Sequence, residues 1–179
     1  GVGADPGRTP GVVAAHDQRE QIQILRDTFR PTTHPKATPA IPSPGHDFAV
    51  IRIPAIDVTA PIVEGVRVQD LKKGVGHFPG SAIPGSVGNF ALAAHRTTYG
   101  RAFADIDDLR SGDRIYVETT AGTFVYRVTK YRVIRATDVQ VVTVADLNSR
   151  TDRSLTMTTC HPRYSAQQRY MVRAELVTP

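Results

Sequence analysis

From residue 48 onward the chain is cut into short runs rich in β-branched and aromatic residues, each stopped by glycine, proline or a polar turn. Punctuation this frequent leaves little room for long helices, so most backbone hydrogen bonds must close between strands. The runs cover residues 48–54, 58–63, 90–95, 114–118, 123–134, 154–159 and 169–177. Seven or eight short strands with few helices predict an all-β domain, either a barrel or a sandwich. Short helical pieces fit residues 68–73, 101–109 and 138–142, and Ser111-Gly112-Asp113 and Ala121-Gly122 read as turns.

Residues 1–47 have a different character, polar and proline-rich, with Pro35, Pro39, Pro42 and Pro44 close together. Such composition favours extended, solvated chain over packed structure. Inside it Ile22, Leu25 and Phe29 recur at helical spacing. This predicts one short amphipathic helix at about 17–30, followed by a spacer at 31–45. The remaining residues, 48–179, are expected to form a single domain with one core.

Composition narrows the function classes. A formal charge of +5 and a pI near 9.7 would suit an acidic surface, either nucleic acid or a negatively charged cell envelope. The basic residues are scattered, however, with only Lys72-Lys73 adjacent as a lysine pair and no basic run interleaved with aromatics, so nucleic-acid binding is not expected. A single cysteine excludes an internal disulfide framework and any CxxC metal or redox site. No stretch reaches the roughly 18 consecutive apolar residues of a membrane span, and residues 1–5 lack signal-peptide character. The residues present therefore read as soluble chain, compatible with a piece of an anchored protein.

That one cysteine, Cys160, closes the alternating run Ser154-Leu155-Thr156-Met157-Thr158-Thr159 just before His161-Pro162. Leu155 and Met157 would face one side, and Thr156, Thr158 and Cys160 the other, which brings the thiol out of the core at the strand end. A catalytic thiol needs a nearby base or cation to raise its thiolate fraction. Among the six histidines, His16, His34 and His46 belong to the extension or its edge, and His77 lies in a glycine-rich loop with no strand to aim it. His95 ends its own strand on the face opposite Phe90, Leu92 and Ala94, above the small Ala91 and Ala93. His161 adjoins the cysteine, but successive side chains on extended backbone point apart, which favours His95. Attack by a thiolate on a carbonyl also calls for a preorganised donor to the oxyanion. Arg169 begins the last strand on its polar face, nine residues after Cys160, a spacing that a hairpin closes.

Three segments in this order resemble the sortase family. Leu155-Thr156-Met157-Thr158-Thr159-Cys160 is similar to its TLxTC motif, with Met157 after Thr156 as a departure. Ala94-His95-Arg96-Thr97-Thr98-Tyr99-Gly100 resembles its histidine segment, and Arg169-Tyr170-Met171-Val172-Arg173-Ala174 its arginine strand. Ile51-Arg52-Ile53-Pro54-Ala55-Ile56, residues 60–66 and Gly76-His77-Phe78-Pro79-Gly80 are similar to the opening strands and the following loop, so the likeness spans roughly residues 48–177. Cys160-His161-Pro162 is most similar to the actinobacterial class E, with class D as the near alternative.

The resemblance implies an eight-stranded β-barrel carrying a cysteine transpeptidase, with residues 48–179 as its catalytic domain. It implies Cys160 as nucleophile, His95 as general acid and base, and Arg169 as the oxyanion and substrate donor. Thr158, Thr159, Arg96, Thr97 and Tyr99 are the candidate substrate-binding residues. The implied partners are secreted proteins with C-terminal LPxTG- or LAxTG-like signals and an amine acceptor on a peptidoglycan precursor or a pilin. The implied place is the extracytoplasmic face of the membrane, reached through an anchoring segment before Gly1. No cofactor or metal is expected: Asp105, Asp107 and Asp108 lack the alternating oxygen ligands of a calcium loop. Two rivals are a cysteine hydrolase of the envelope and a non-enzymatic β-barrel that binds peptides.

Overall fold

The computed structural model describes residues 10–28, 42–97, 100–138, 152–162 and 164–177. Eight strands form a closed barrel: β1 Asp47–Ile53, β2 Val58–Glu64, β3 Val75–His77, β4 Gly88–Ala93, β5 Arg114–Thr119, β6 Gly122–Arg135, β7 Arg153–His161 and β8 Gln168–Leu176. Around the barrel the order is β1-β2-β3-β4-β7-β8-β6-β5, with β5 returning to β1. Pairs β2–β3 and β4–β7 are parallel, and the others antiparallel. Closure removes the free edges that a sandwich would have to protect.

The alternation read in the sequence is the alternation of the barrel wall. Ile51, Ile53, Ile62, Phe90, Leu92, Ile115, Leu155, Met157 and Val172 fill the interior, and Phe103, Ile106 and Leu109 pack against them from the segment after β4. That segment is a series of turns with a short 3-10 turn at Ile106–Asp108, where the sequence predicted a helical piece over 101–109. Of the piece predicted at 138–142, only Asp138 is described, as the last residue of a 3-10 turn at Ala136–Asp138.

β3 was not foreseen, because two of its neighbouring positions, Gly74 and Gly76, argue for a loop. The glycines have a packing reason. A Cβ on Gly76 would collide with the Gly65 carbonyl and the Leu71 side chain, so the strand can run under the short helix α2, Val68–Leu71, only without one. His77, expected to be an unaimed loop residue, therefore ends a strand and points inward with 1% exposure. Its Nδ1 donates to Glu64 Oε2 at 2.5 Å, and its Nε2 lies 2.8 Å from Ser81 Oγ and 3.0 Å from the Ala82 carbonyl oxygen.

The N-terminal helix α1 runs Pro10–Thr28, beginning about two turns earlier than the spacing of apolar residues predicted. Proline at the first helical position gives up an N–H that needs no intrahelical partner. Ile22 is buried against the barrel, and Arg26 forms a fork on Glu118, with Nε donating to Oε2 at 2.9 Å and Nη2 to Oε1 at 3.0 Å. Phe29 and most of the proline-rich spacer lie outside the described residues. No helix among the described residues is long and apolar enough to cross a membrane.

Candidate functional site

β7 sits between β4 and β8, and the three candidate residues come from these three neighbouring segments. Cys160 pairs directly with Arg169 across the antiparallel β7–β8 ladder, one step beyond Thr159↔Tyr170 and two beyond Thr158↔Met171. Residues directly opposite share a face, with Cβ atoms typically about 5 Å apart. Because Leu155 and Met157 point into the barrel, Cys160 and Arg169 lie on its outer face, and Cys160 is half-buried there. Arg169 Nη1 donates to the carbonyls of Ala166 at 2.7 Å and Gln168 at 3.0 Å, which ties its guanidinium to the turn between β7 and β8.

The parallel β4–β7 ladder ends at Ala93↔Thr158. One residue on, the Ala94 N–H donates to the Thr158 carbonyl at 3.3 Å, and Thr159 Oγ1 donates to the Ala94 carbonyl at 2.8 Å. His95 follows Ala94 directly, just beyond the end of β4. Burial pushes the His95 imidazole below its ordinary pKa, which favours the neutral ring.

The remaining candidates divide. Thr158 and Thr159 are buried, their hydroxyls donating to the Leu92 and Ala94 carbonyls, so they stitch β7 to β4. Arg96, read in the sequence as a groove residue, turns inward instead, at 3% exposure. Its Nη2 lies 2.8 Å from Asp107 Oδ2, and its Nη1 donates to the Cys160 carbonyl at 3.2 Å. There it meets the Asp107 carboxylate and the carbonyls of Cys160 and Ala104. Thr97 is half-buried beside it, and Tyr99 lies outside the described residues, as does the side chain of His161.

Sequence reasoning missed the Glu64–His77–Ser81 chain of contacts. Glu64 closes β2 opposite His77 in the parallel β2–β3 ladder, and only the unrecognised strand hid that pairing. A cavity of about 620 Å³ beside α1 and α2, lined by residues such as Gln21, Asp47, Arg67 and Lys72, includes none of Cys160, His95 or Arg169. Among the described residues no group of three or more His, Cys, Asp or Glu side chains is placed to hold a metal ion. What the outer face does offer is a thiol flanked on one strand by a guanidinium and on the other by an imidazole segment. Nucleophile, proton carrier and anion donor are the parts that acyl transfer requires.

Comparisons with known proteins bear on family and fold. A family model described as the sortase domain matches residues 51–177. Sortase SrtE1 of Streptomyces coelicolor is 35% identical over 179 residues, covering 92% of this chain; the chain spans 49% of the length of that relative. The solved structure of sortase E from Streptomyces avermitilis superposes with a TM-score of 0.65 at 37% identity, covering 76% of this chain and 91% of that one. A sortase D5 transpeptidase of Clostridium perfringens superposes with a TM-score of 0.75 at 28% identity, covering 91% of this chain and 99% of that one.

Proposed function

Because the chain belongs to the sortase family, we propose that it is a cysteine transpeptidase that cuts an LPxTG- or LAxTG-like sorting signal between threonine and glycine. The observation that carries this reading is the direct pairing of Cys160 with Arg169 across β7 and β8, with His95 following the end of the neighbouring strand β4. The Cys160 thiolate attacks the threonine carbonyl carbon, and the carbonyl electron pair moves to oxygen. Arg169 donates to that oxygen. The tetrahedral species collapses as the carbon–nitrogen bond breaks, and His95 as imidazolium gives its proton to the leaving glycine amine. This leaves a thioester on Cys160 and a neutral His95.

An amine then attacks the thioester, with His95 taking the amine's proton and the thiolate leaving. The acceptor is an amine of a cell-wall precursor or a pilin lysine, and the substrates are secreted proteins bearing the signal. The work is done at the extracytoplasmic face of the membrane, with the enzyme tethered by a membrane segment outside these residues. Product analysis tests the reading: incubation with a signal peptide and an excess of amine should yield the joined peptide–amine product. Hydrolysed peptide alone would make the protein an envelope hydrolase, and an uncut peptide bound with Cys160→Ala affinity unchanged would make it a binding module.

A further inference from the structure

The carbonyl of Cys160 points toward β4 from a position where β4 has already ended. In the ladder the Thr158 carbonyl accepts from the Ala94 N–H. Two residues on, the Cys160 carbonyl faces the same way, because successive carbonyls of a strand alternate sides. There Arg96 Nη1 donates to it at 3.2 Å. The side chain of the residue after His95 thus replaces the next rung of the sheet.

The rest of the guanidinium is held as well. Asp107 Oδ2 lies 2.8 Å from Nη2, the Ala104 carbonyl accepts from Nε at 3.4 Å, and the Tyr170 ring lies 5.9 Å from the guanidinium carbon. Tyr170 stands opposite Thr159 on β8, next to Arg169. One side chain therefore touches the backbone of the nucleophile, the turn after β4 and the strand of the oxyanion donor. Taking a cation out of water costs several kcal/mol, and an apolar side chain would fill the same space more cheaply. Geometry is what the charge supplies here: a planar fork bonded at three points has little freedom to slide.

We propose that Arg96, held by Asp107, is a positioning residue that sets the distance and angle between the Cys160 thiol and the His95 imidazole. This rests on the proposed function, and its test separates the two. Arg96 holds the backbone of Cys160 and is itself buried, so under this proposal its effect falls on the chemical step and not on peptide binding. Misplacement of a reacting group by about 1 Å can cost on the order of a hundredfold in rate.

The test compares Arg96→Met, Arg96→Lys and Asp107→Asn with the unaltered protein. Thermal melts fix the folded fraction, and Arg96→Lys and Asp107→Asn serve if Arg96→Met does not fold. Expected is a fall in kcat of roughly a hundredfold for Arg96→Met and roughly tenfold for Arg96→Lys, since an ammonium reaches the carbonyl or the carboxylate but not both. The Asp107→Asn variant should lose less, and KM for the signal peptide should stay within about twofold throughout. A rise in KM with kcat unchanged would overturn the proposal and return Arg96 to the substrate groove. So would kcat values that track the folded fraction. If the unaltered protein performs no transfer, the proposed function fails, and the pH profile of Cys160 alkylation by iodoacetamide decides the pair by itself. Its midpoint should move upward by roughly half a unit or more in Arg96→Met and Arg96→Lys; an unmoved midpoint in folded variants would overturn the positioning role.

Discussion

Cys160 on β7 and Arg169 on β8 are directly opposite partners of an antiparallel ladder, so their separation is set by sheet geometry and not by loop conformation. In the proposed mechanism this pairing keeps Arg169 on the strand beside the thiol where negative charge develops, while its guanidinium rests on the Ala166 and Gln168 carbonyls.

Replacing Arg169 by alanine should therefore lower kcat for acyl transfer by about 10² to 10³, with a smaller change in KM. Arg169→Lys should recover only part of the loss, because it keeps the charge but not the fork that also holds the Ala166 and Gln168 carbonyls. Steady-state kinetics with a signal peptide checks both. A loss confined to KM would assign the arginine to ground-state binding.

His95 gives a pH signature. Its imidazole is held below the ordinary pKa by burial, so the folded state binds its proton less readily than the unfolded chain does. The associated stability is present above the unfolded value of about 6.5 and is lost as pH falls through it toward the folded value. The melting temperature should decline on acidification through that window, and less steeply in His95→Gln. The rate profile should be bell-shaped with its acid limb below about 6.5. A flat profile would count against His95 as the proton carrier.

The Glu64–His77 contact predicts a stability effect with little catalytic effect. Both side chains are almost fully buried, and His77 Nε2 also lies within hydrogen-bond distance of Ser81 Oγ and the Ala82 carbonyl oxygen. His77→Ala leaves a buried carboxyl without its partner, at a cost of about 3 kcal/mol or more. Chemical denaturation should show that loss, while kcat per folded molecule stays near the unaltered value. A large drop in kcat at full folding would tie this cluster to the reaction.

The docking of α1 should be weak in energy. The Arg26–Glu118 pair is part-exposed, and such pairs contribute about 1 kcal/mol or less. Arg26→Ala should speed amide hydrogen exchange in α1 and leave barrel amides unchanged. Barrel exchange that accelerates equally would show that the helix is part of the cooperative core.

Period-2 alternation made seven of the strands legible, and their ends placed Cys160, His95 and Arg169 on polar faces. The adjacency of Cys160 and Arg169 was legible as a hairpin spacing, whereas that of His95 was not, since β4 meets β7 through a parallel pairing that no local pattern encodes. β3 escaped because its glycines answer to α2 packed above them, a contact invisible in sequence. Arg96 was misplaced for a related reason: a charged residue in a loop reads as solvent-facing until the carbonyls that receive it are known. The start of α1 at Pro10 escaped because a proline in a proline-rich tail reads as spacer when it also serves as a first helical residue.

The account turns on a covalent intermediate at Cys160, and intact-protein mass spectrometry of a trapped acyl-enzyme tests it most directly. Incubation with a mixed library of LPxTG- and LAxTG-like peptides should add the mass of the peptide up to and including threonine, mapped to Cys160 and absent in Cys160→Ala. Addition of an amine should discharge the adduct into a joined product. An unmodified cysteine under these conditions, or an adduct on another residue, would contradict it.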